Sequence, residues 1–244
     1  MNEKSKIQNE SSGEAVKFDL LVSQPFYEDE NIKIYNGDLN SVLPQLGIKA
    51  DLILTDPPFN AGKEIENDNM NEQEFMSFTK RWLFTVWNNM KENSNIAVIF
   101  GVKYQKPLVE CLNFMFNYNW EFIWWKSNGM LNGKATFAKY DKVFWHSKGE
   151  SKHNRTDLIP TDVWNIPIKV EANNFGHPTP KDVSGLDKII TLLSNEGDLI
   201  IDPFMGSGST LVSAKKLGRK AIGIDIEKRW CEVAVKRLAQ YQLF

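Results

Sequence analysis

Residues 198–210 read DLIIDPFMGSGST, and this stretch decides the fold. The apolar run before Asp202 has the length of a buried strand, and Asp202-Pro203 ends it. Gly206 and Gly208 then let the backbone turn sharply and bring amide groups close to a ligand at the start of a helix expected over 209–217. A second strand, AIGID at 221–225, follows and ends on Asp225. A carboxylate at that tip is placed to accept hydrogen bonds from both hydroxyls of a ribose. Together these features describe a nucleoside site at the carboxyl edge of a parallel sheet, although a purely structural tight turn also explains the glycines. Neither G-x-G-x-x-G nor G-x-x-x-x-G-K-[ST] occurs, which excludes a dinucleotide fingerprint and a phosphate-binding NTPase loop.

Upstream, ADLILT at 50–55 is another continuous apolar run, stopped by Asp56-Pro57-Pro58-Phe59. Such a run suits a strand buried on both faces of a parallel sheet. Two consecutive prolines fix φ and remove two backbone donors, so the loop offers acceptors only: the Asp56 carboxylate and the Pro57 carbonyl. A rigid pair of acceptors suits both hydrogens of a planar amino group, and Phe59 beside them suits stacking on an aromatic ring. A proline-terminated strand with Phe59 in the core is the alternative reading of the same four residues.

Strands alternate with helices along the rest of the chain. Residues 31–35 read as a strand running into a short helix, 60–74 as an acidic loop, and Phe75, Phe78, Trp82, Val86 and Met90 as one helical stripe. A strand at 95–100 and a helix at 103–117 follow. Strands at 121–126 and 142–146 flank a connection rich in Gly, Lys and Asn, and 147–180 reads as mostly irregular. A helix at 183–194 and a closing helix at 227–241 complete the pattern. The expected fold is α/β: a Rossmann-like, mostly parallel sheet with helices on both faces. Residues 1–17 are expected to form a flexible tail and 18–244 one domain.

The chain has 244 residues and a net charge of −2, but the charge is unevenly spread. Residues 1–100 carry nine basic and sixteen acidic groups, whereas 126–155 carry seven basic groups against Asp141 and Glu150. A polyanion is met through a local patch and not through the mean charge, so this segment suits nucleic-acid phosphates. Lys126, Lys134, Lys139 and Lys142 are its candidate DNA-binding residues, with a solvated lysine-rich face as the plainer reading. Cys111 and Cys231, far apart, exclude a disulfide framework, and His146, His153 and His177 lack metal-ligand spacing, so no metal is expected. Most of the eight tryptophans fall at core periodicity, while Trp124 and Trp125 face opposite ways on one strand. No apolar run approaches a membrane span and the first residues lack a leader's apolar core, so a cytoplasmic protein is expected.

Asp56-Pro57-Pro58-Phe59, with Phe204-Met205-Gly206-Ser207-Gly208 later in the chain, resembles the S-adenosylmethionine-dependent amino-methyltransferases of DNA, which act on adenine N6 or cytosine N4. The order of the two motifs resembles the circularly permuted β class, and the similarity runs from about 34 to 238. The resemblance implies a small target-recognition insertion, here about 126–176, and S-adenosylmethionine as cofactor. It implies a catalytic set of Asp56, Pro57, Pro58 and Phe59. Its cofactor set is Asp38, Lys181, Asp202, Phe204, Met205, Gly206, Ser207, Gly208, Ser209, Thr210 and Asp225. In it, Asp38 lies near the adenine ring, and Lys181 closes the segment His177-Pro178-Thr179-Pro180-Lys181 that touches the methionine end. Departures from the family pattern are Asp182 for a usual Pro, Tyr140-Asp141 for a common His-Glu pair, and Ser209 for a frequent Thr.

Asp at the head of the tetrapeptide favours adenine, Ser being usual in the cytosine N4 group. The resemblance further implies double-stranded DNA as substrate, a prokaryotic, phage or plasmid source, a cognate restriction endonuclease and a homodimer. A stacked base cannot reach such a pocket, so it is expected to flip out onto Phe59. Cytosine C5 methylation needs a thiolate nucleophile, and neither cysteine sits in a Pro-Cys loop. The alternatives are cytosine N4 methylation, an inactive DNA-binding partner subunit, or an RNA or protein substrate.

Overall fold

A computed structural model describes residues 24–60, 70–102, 104–132, 136–154, 161–166 and 181–240, without the side chains of 127–132 and 136–138. The expected tail, Lys134 and residues 177–180 lie outside the described residues. In chain order the elements are β1 (Tyr27–Glu28), β2 (Ile32–Asn36), α1 (Leu39–Gln45), β3 (Ala50–Thr55), α2 (Glu72–Asn88) and β4 (Met90–Phe100). Then come α3 (Gln105–Met115), β5 (Asn117–Asn132), β6 (Thr136–Lys148), β7 (Val163–Asn165) and α4 (Val183–Leu193). The chain closes with β8 (Leu199–Asp202), α5 (Ser209–Lys216), β9 (Lys220–Asp225) and α6 (Lys228–Gln240).

The strands form one sheet in the order β1-β2-β9-β8-β3-β4-β6-β5-β7. The block β2-β9-β8-β3-β4 is parallel throughout. Apolar runs become buried on both faces here because helices cover both. Leu52, Leu54, Ala97, Ile99 and Ile200 pack with α4, α5 and α6 on one side. Ile53, Ile96, Val98 and Ile201 pack with α1, α2 and α3 on the other. Neighbouring residues of one strand thus serve two cores, which a helix-period pattern could not do. Among the described residues no helix is long and apolar enough to cross a membrane.

Several boundaries differ from the sequence reading. Helix α2 starts at Glu72, inside the expected loop, because Asn71 and Glu74 form a capping box: Glu74 N donates to Asn71 Oδ1 (3.0 Å) and Asn71 N donates to Glu74 Oε2 (2.8 Å). Met90, expected on that helix, opens β4 instead. The Gly, Lys and Asn-rich connection is mostly strand: β5 and β6 run on past Trp124↔Asp141 to Asn132↔Thr136, with an irregularity between Trp125 and Met130. Cross-strand pairing with a long partner outweighs weak local β preference. The described strands of the segment expected to form the recognition insertion extend the central sheet, β6 pairing antiparallel with β4. Strand β7, within the stretch read as irregular, pairs with β5.

Trp124 and Trp125 do face opposite ways, the first buried and the second exposed. Trp124 packs on the first turn of α4, where a Cβ on Gly185 would lie 2.5 Å from the indole ring. Replacing Gly185 by Val should therefore destabilise the fold by about 2 kcal/mol, overpacking outweighing the gain in helix propensity. Urea unfolding measures the loss, and Gly185→Ala should show a smaller one.

Candidate active site

The register of the parallel block sets the site. Ile53 lies beside Ile201, Asp202 beside Gly223, and Asn36 beside Asp225, so β3, β8, β9 and β2 end at one edge. A cavity opens there, and all four residues of Asp56-Pro57-Pro58-Phe59 line it. So do Asp38, Lys181, Asp202, Phe204, Met205, Gly206, Ser207, Ser209, Thr210 and Asp225. Gly208 is the exception among the expected cofactor residues. Its φ of 76° makes it the left-handed entry to α5, and a Cβ there would meet Ala234 of α6 at 2.7 Å. Its part is to let the loop pack.

Asp225 fastens the glycine loop. Gly206 N donates to its Oδ2 and Glu227 N to its Oδ1, each at 2.9 Å. Burial raises its pKa to about 6 against those two donors. Each oxygen keeps acceptor capacity toward the cavity, which suits ribose hydroxyls. Gly223 makes the close approach possible, since a Cβ there would come within 2.4 Å of Met205 Sδ. The loop is also held from behind by a residue the sequence did not single out. Arg237 of α6, itself buried, donates from Nη1 to Ser207 O (3.1 Å), Ser207 Oγ (2.7 Å) and Ser209 Oγ (2.8 Å). Asp202, also buried, accepts from Thr55 Oγ1 (2.9 Å) and Phe204 N (3.2 Å), and burial pushes its pKa up to about 7. Asp38 caps α1, accepting from Asn40 N at 2.6 Å.

The other half of the cavity is charged. Lys181 Nζ lies 2.8 Å from Asp56 Oδ2, whereas Asp56 Oδ1 is buried with no hydrogen-bond partner among the described residues. Lys181 also stands 3.6 Å from Asp141 Oδ2, which Lys126 approaches at 2.5 Å. Four charges of alternating sign thus run from β5 to the end of β3. Burial pushes the Asp56 carboxyl up, with Lys181 opposing. Burial also acts on Asp141, but Lys181 and Lys126 hold it below the usual carboxylate range. For Lys181 the penalty of burial is outweighed by Asp56 and Asp141, and its pKa is raised. Phe59 packs on Phe100 at 4.9 Å between ring centres, with Lys181 Nζ 4.7 Å from its own.

The expected DNA-binding lysines separate here. Lys126 turns inward to Asp141, and Lys142 reaches Glu121 Oε1 at 3.1 Å. Lys139 stays on the outer face with Trp125, its Nζ 6.0 Å from the ring. His146 is structural: buried, its Nε2 is 2.9 Å from Asn113 Oδ1, and burial lowers its pKa to about 4. Cys111 and Cys231 are buried thiols whose pKa burial raises, to about 12 for Cys231, and neither lines the cavity.

A parallel α/β sheet with a glycine loop, a strand-end carboxylate and an Asp-Pro-Pro-Phe corner on one cavity has known counterparts. The model of the N6/N4 DNA methylase family matches residues 50–236. The chain belongs to that family. The Type II methyltransferase M.HpaI of Haemophilus parainfluenzae is 31% identical over 214 residues, 77% of this chain and 68% of its own. M2.LlaDCHI of Lactococcus lactis subsp. cremoris is 28% identical over 258 residues, covering 90% and 93% of the two chains. Among solved structures, the cytosine-N4-specific PvuII DNA methyltransferase shares the fold at a TM-score of 0.74 and 19% identity, over 89% of this chain and 93% of that one. The complex of M1.HpyAVI with SAM superposes at 0.68 with 26% identity, over 85% and 98%. The methylase has the β-class order, with the Asp-Pro-Pro-Phe strand β3 preceding the glycine-loop strand β8 in the chain and lying beside it in the sheet.

Asp202 carries a testable consequence for stability. Its folded-state pKa of about 7 exceeds the ordinary 3.8, so the folded state binds the extra proton and stability falls as pH rises between those values. Asp202→Asn should abolish this slope, exceeding the parent in stability at pH 8 by on the order of 3 kcal/mol and matching it near pH 4. Urea unfolding across that pH range reads both limits.

Proposed function

We propose that this methylase transfers the methyl group of S-adenosylmethionine to the N6 amino group of an adenine in double-stranded DNA, the base being flipped out of the helix. The observation that carries the reading is Asp56 Oδ1, a buried acceptor without a partner, placed immediately before two prolines. A buried acceptor in want of a donor is costly unless a ligand supplies one. The amino group of a base does so.

S-adenosylmethionine supplies a methyl group on a positively charged sulfur. Asp225, the Gly206 turn and Phe204 form the part of the cavity suited to its nucleoside, and Arg237 fixes the loop they share. Asp56 Oδ1 and the Pro57 carbonyl accept the two amino hydrogens, turning the nitrogen lone pair out of conjugation with the ring. Phe59 holds the ring flat against the site. Asp56 then takes the proton that the methylated nitrogen sheds. Positioning and preorganised acceptors do the work, and no covalent bond to the protein forms. The absence of either thiol from the cavity lining agrees with this chemistry. An anionic acceptor at the head of the tetrapeptide supports adenine over cytosine. Lys139 beside exposed Trp125 is offered to the duplex phosphates. The Type II names of the relatives support a partnership with a restriction endonuclease.

The test is transfer from methyl-labelled S-adenosylmethionine to mixed-sequence duplex DNA, followed by digestion to nucleosides. Label is expected in N6-methyladenine. Label in N4-methylcytosine instead would establish the cytosine reading, which the fold likeness to the PvuII enzyme favours. Asp56→Ala should lower turnover by about 10³-fold, with S-adenosylmethionine affinity by calorimetry almost unchanged. Retained turnover refutes the acceptor role.

A further inference from the structure

Lys181 has no part in the reaction as drawn so far, yet it occupies the reacting corner. Its ammonium hydrogens meet Asp56 Oδ2 at 2.8 Å, and its charge lies 4.7 Å from the centre of the Phe59 ring. A nitrogen bonded to Asp56 and held on Phe59 is also the description of the bound amino group. Two described neighbours close other sides of Phe59. Phe100 packs at 4.9 Å, and at Gly101 even a Cβ would come within 3.0 Å of the ring. The side on which Lys181 sits faces the cavity, and a flipped base entering there meets the ammonium.

A second seat for the ammonium is already built. Asp141 on β6 is buried, stands 3.6 Å from Lys181 Nζ, and is held by Lys126. We propose that Lys181 stands in for the target amino group, resting on Asp56 while no base is present and moving onto Asp141 when one enters. Asp141 is then a positioning residue, because it gives the displaced cation a partner. This rests on the reading that Asp56 and Phe59 receive the base, and it adds how the Lys181 ammonium keeps a carboxylate partner in both states. An ammonium displaced into this corner without a partner would be costly. The affinity for the target base is set by the balance between the two seats.

Asp141→Asn removes the second seat and leaves Lys181 competing with the base. The KM for mixed-sequence duplex DNA should rise about tenfold (about 1.4 kcal/mol), with kcat much less affected and S-adenosylmethionine affinity by calorimetry unchanged. Asp141→Glu should restore the KM. Adding Lys181→Gln to Asp141→Asn removes the competitor, so the double variant should have a lower KM than the single one. A double variant with a KM as high as the single variant's, or an Asp141→Asn protein with the parental KM, overturns the proposal. If Asp141→Asn loses S-adenosylmethionine binding and so fails to fold, Lys181→Gln alone decides: its KM should fall, and a rise overturns the proposal. The product of the parent enzyme keeps the two readings apart. Absence of label from every DNA base defeats the methylase reading itself, whereas the KM pattern is scored on whichever base is labelled.

Discussion

Parallel pairing is the constraint on which the site depends. Strands running the same way deliver their last residues to one edge, and the pairing of β3, β8, β9 and β2 does this with Asp56, Asp202 and Asp225. Crossovers return the chain to the far side each time, so loops at this edge are free to vary while the strands beneath stay fixed. The side chains nearest the edge then tie one strand to the next. Thr55 Oγ1 donates to Asp202, and Gly206 N donates to Asp225, so β8 is tied to the end of β3 and β9 to the loop after β8. Gly206, with a φ of 49°, turns the loop, and Gly223 makes room for it to lie on the sheet.

The sheet does not stop where its parallel part ends. Antiparallel β6 and β5 carry it onward and bring Asp141 and Lys126 under the catalytic corner. Asp56 alone, partly removed from water, would face a desolvation penalty on its charge. With Lys181, Asp141 and Lys126 the charges, partly or wholly buried, alternate and sum to zero, the form in which a protein interior holds ions. The hairpin that meets solvent through Lys139 and Trp125 thus meets the chemistry through its inner face.

Much of this was legible in the residues, for physical reasons. Runs such as ADLILT and DLIID are strands buried on both faces, and nothing in a helix needs such unbroken apolarity. Asp56-Pro57-Pro58 marks a strand end short of donors, because prolines remove donors wherever they stand, and the structure places it on the cavity. The hairpin was illegible because its strand character comes from pairing across Trp124↔Asp141 and beyond, and the local run of Gly, Lys and Asn argues against a strand. Lys126 and Lys142 counted as basic patch because net charge cannot see that Asp141 and Glu121 lie opposite. Arg237 was hidden by distance: nothing near it in the chain points to Ser207. The start of α2 was visible, since Asn71 three residues before Glu74 is a capping signature, but the acidic composition around it masked the signal.

The bond from Thr55 to Asp202 joins residues 147 apart in the chain, and the one from Asn36 to Asp225 spans 189. Contacts of such range form late, because the loop they close must be gathered before any pairing rewards it. On a ribosome, β3 and its Asp-Pro-Pro corner emerge long before β8 and β9, the strands that flank them on that side. The nascent chain therefore exposes a half-built apolar edge for most of its synthesis. The cavity is complete only after the residues from β8 to α6 have been made, a timing that follows from strand order alone.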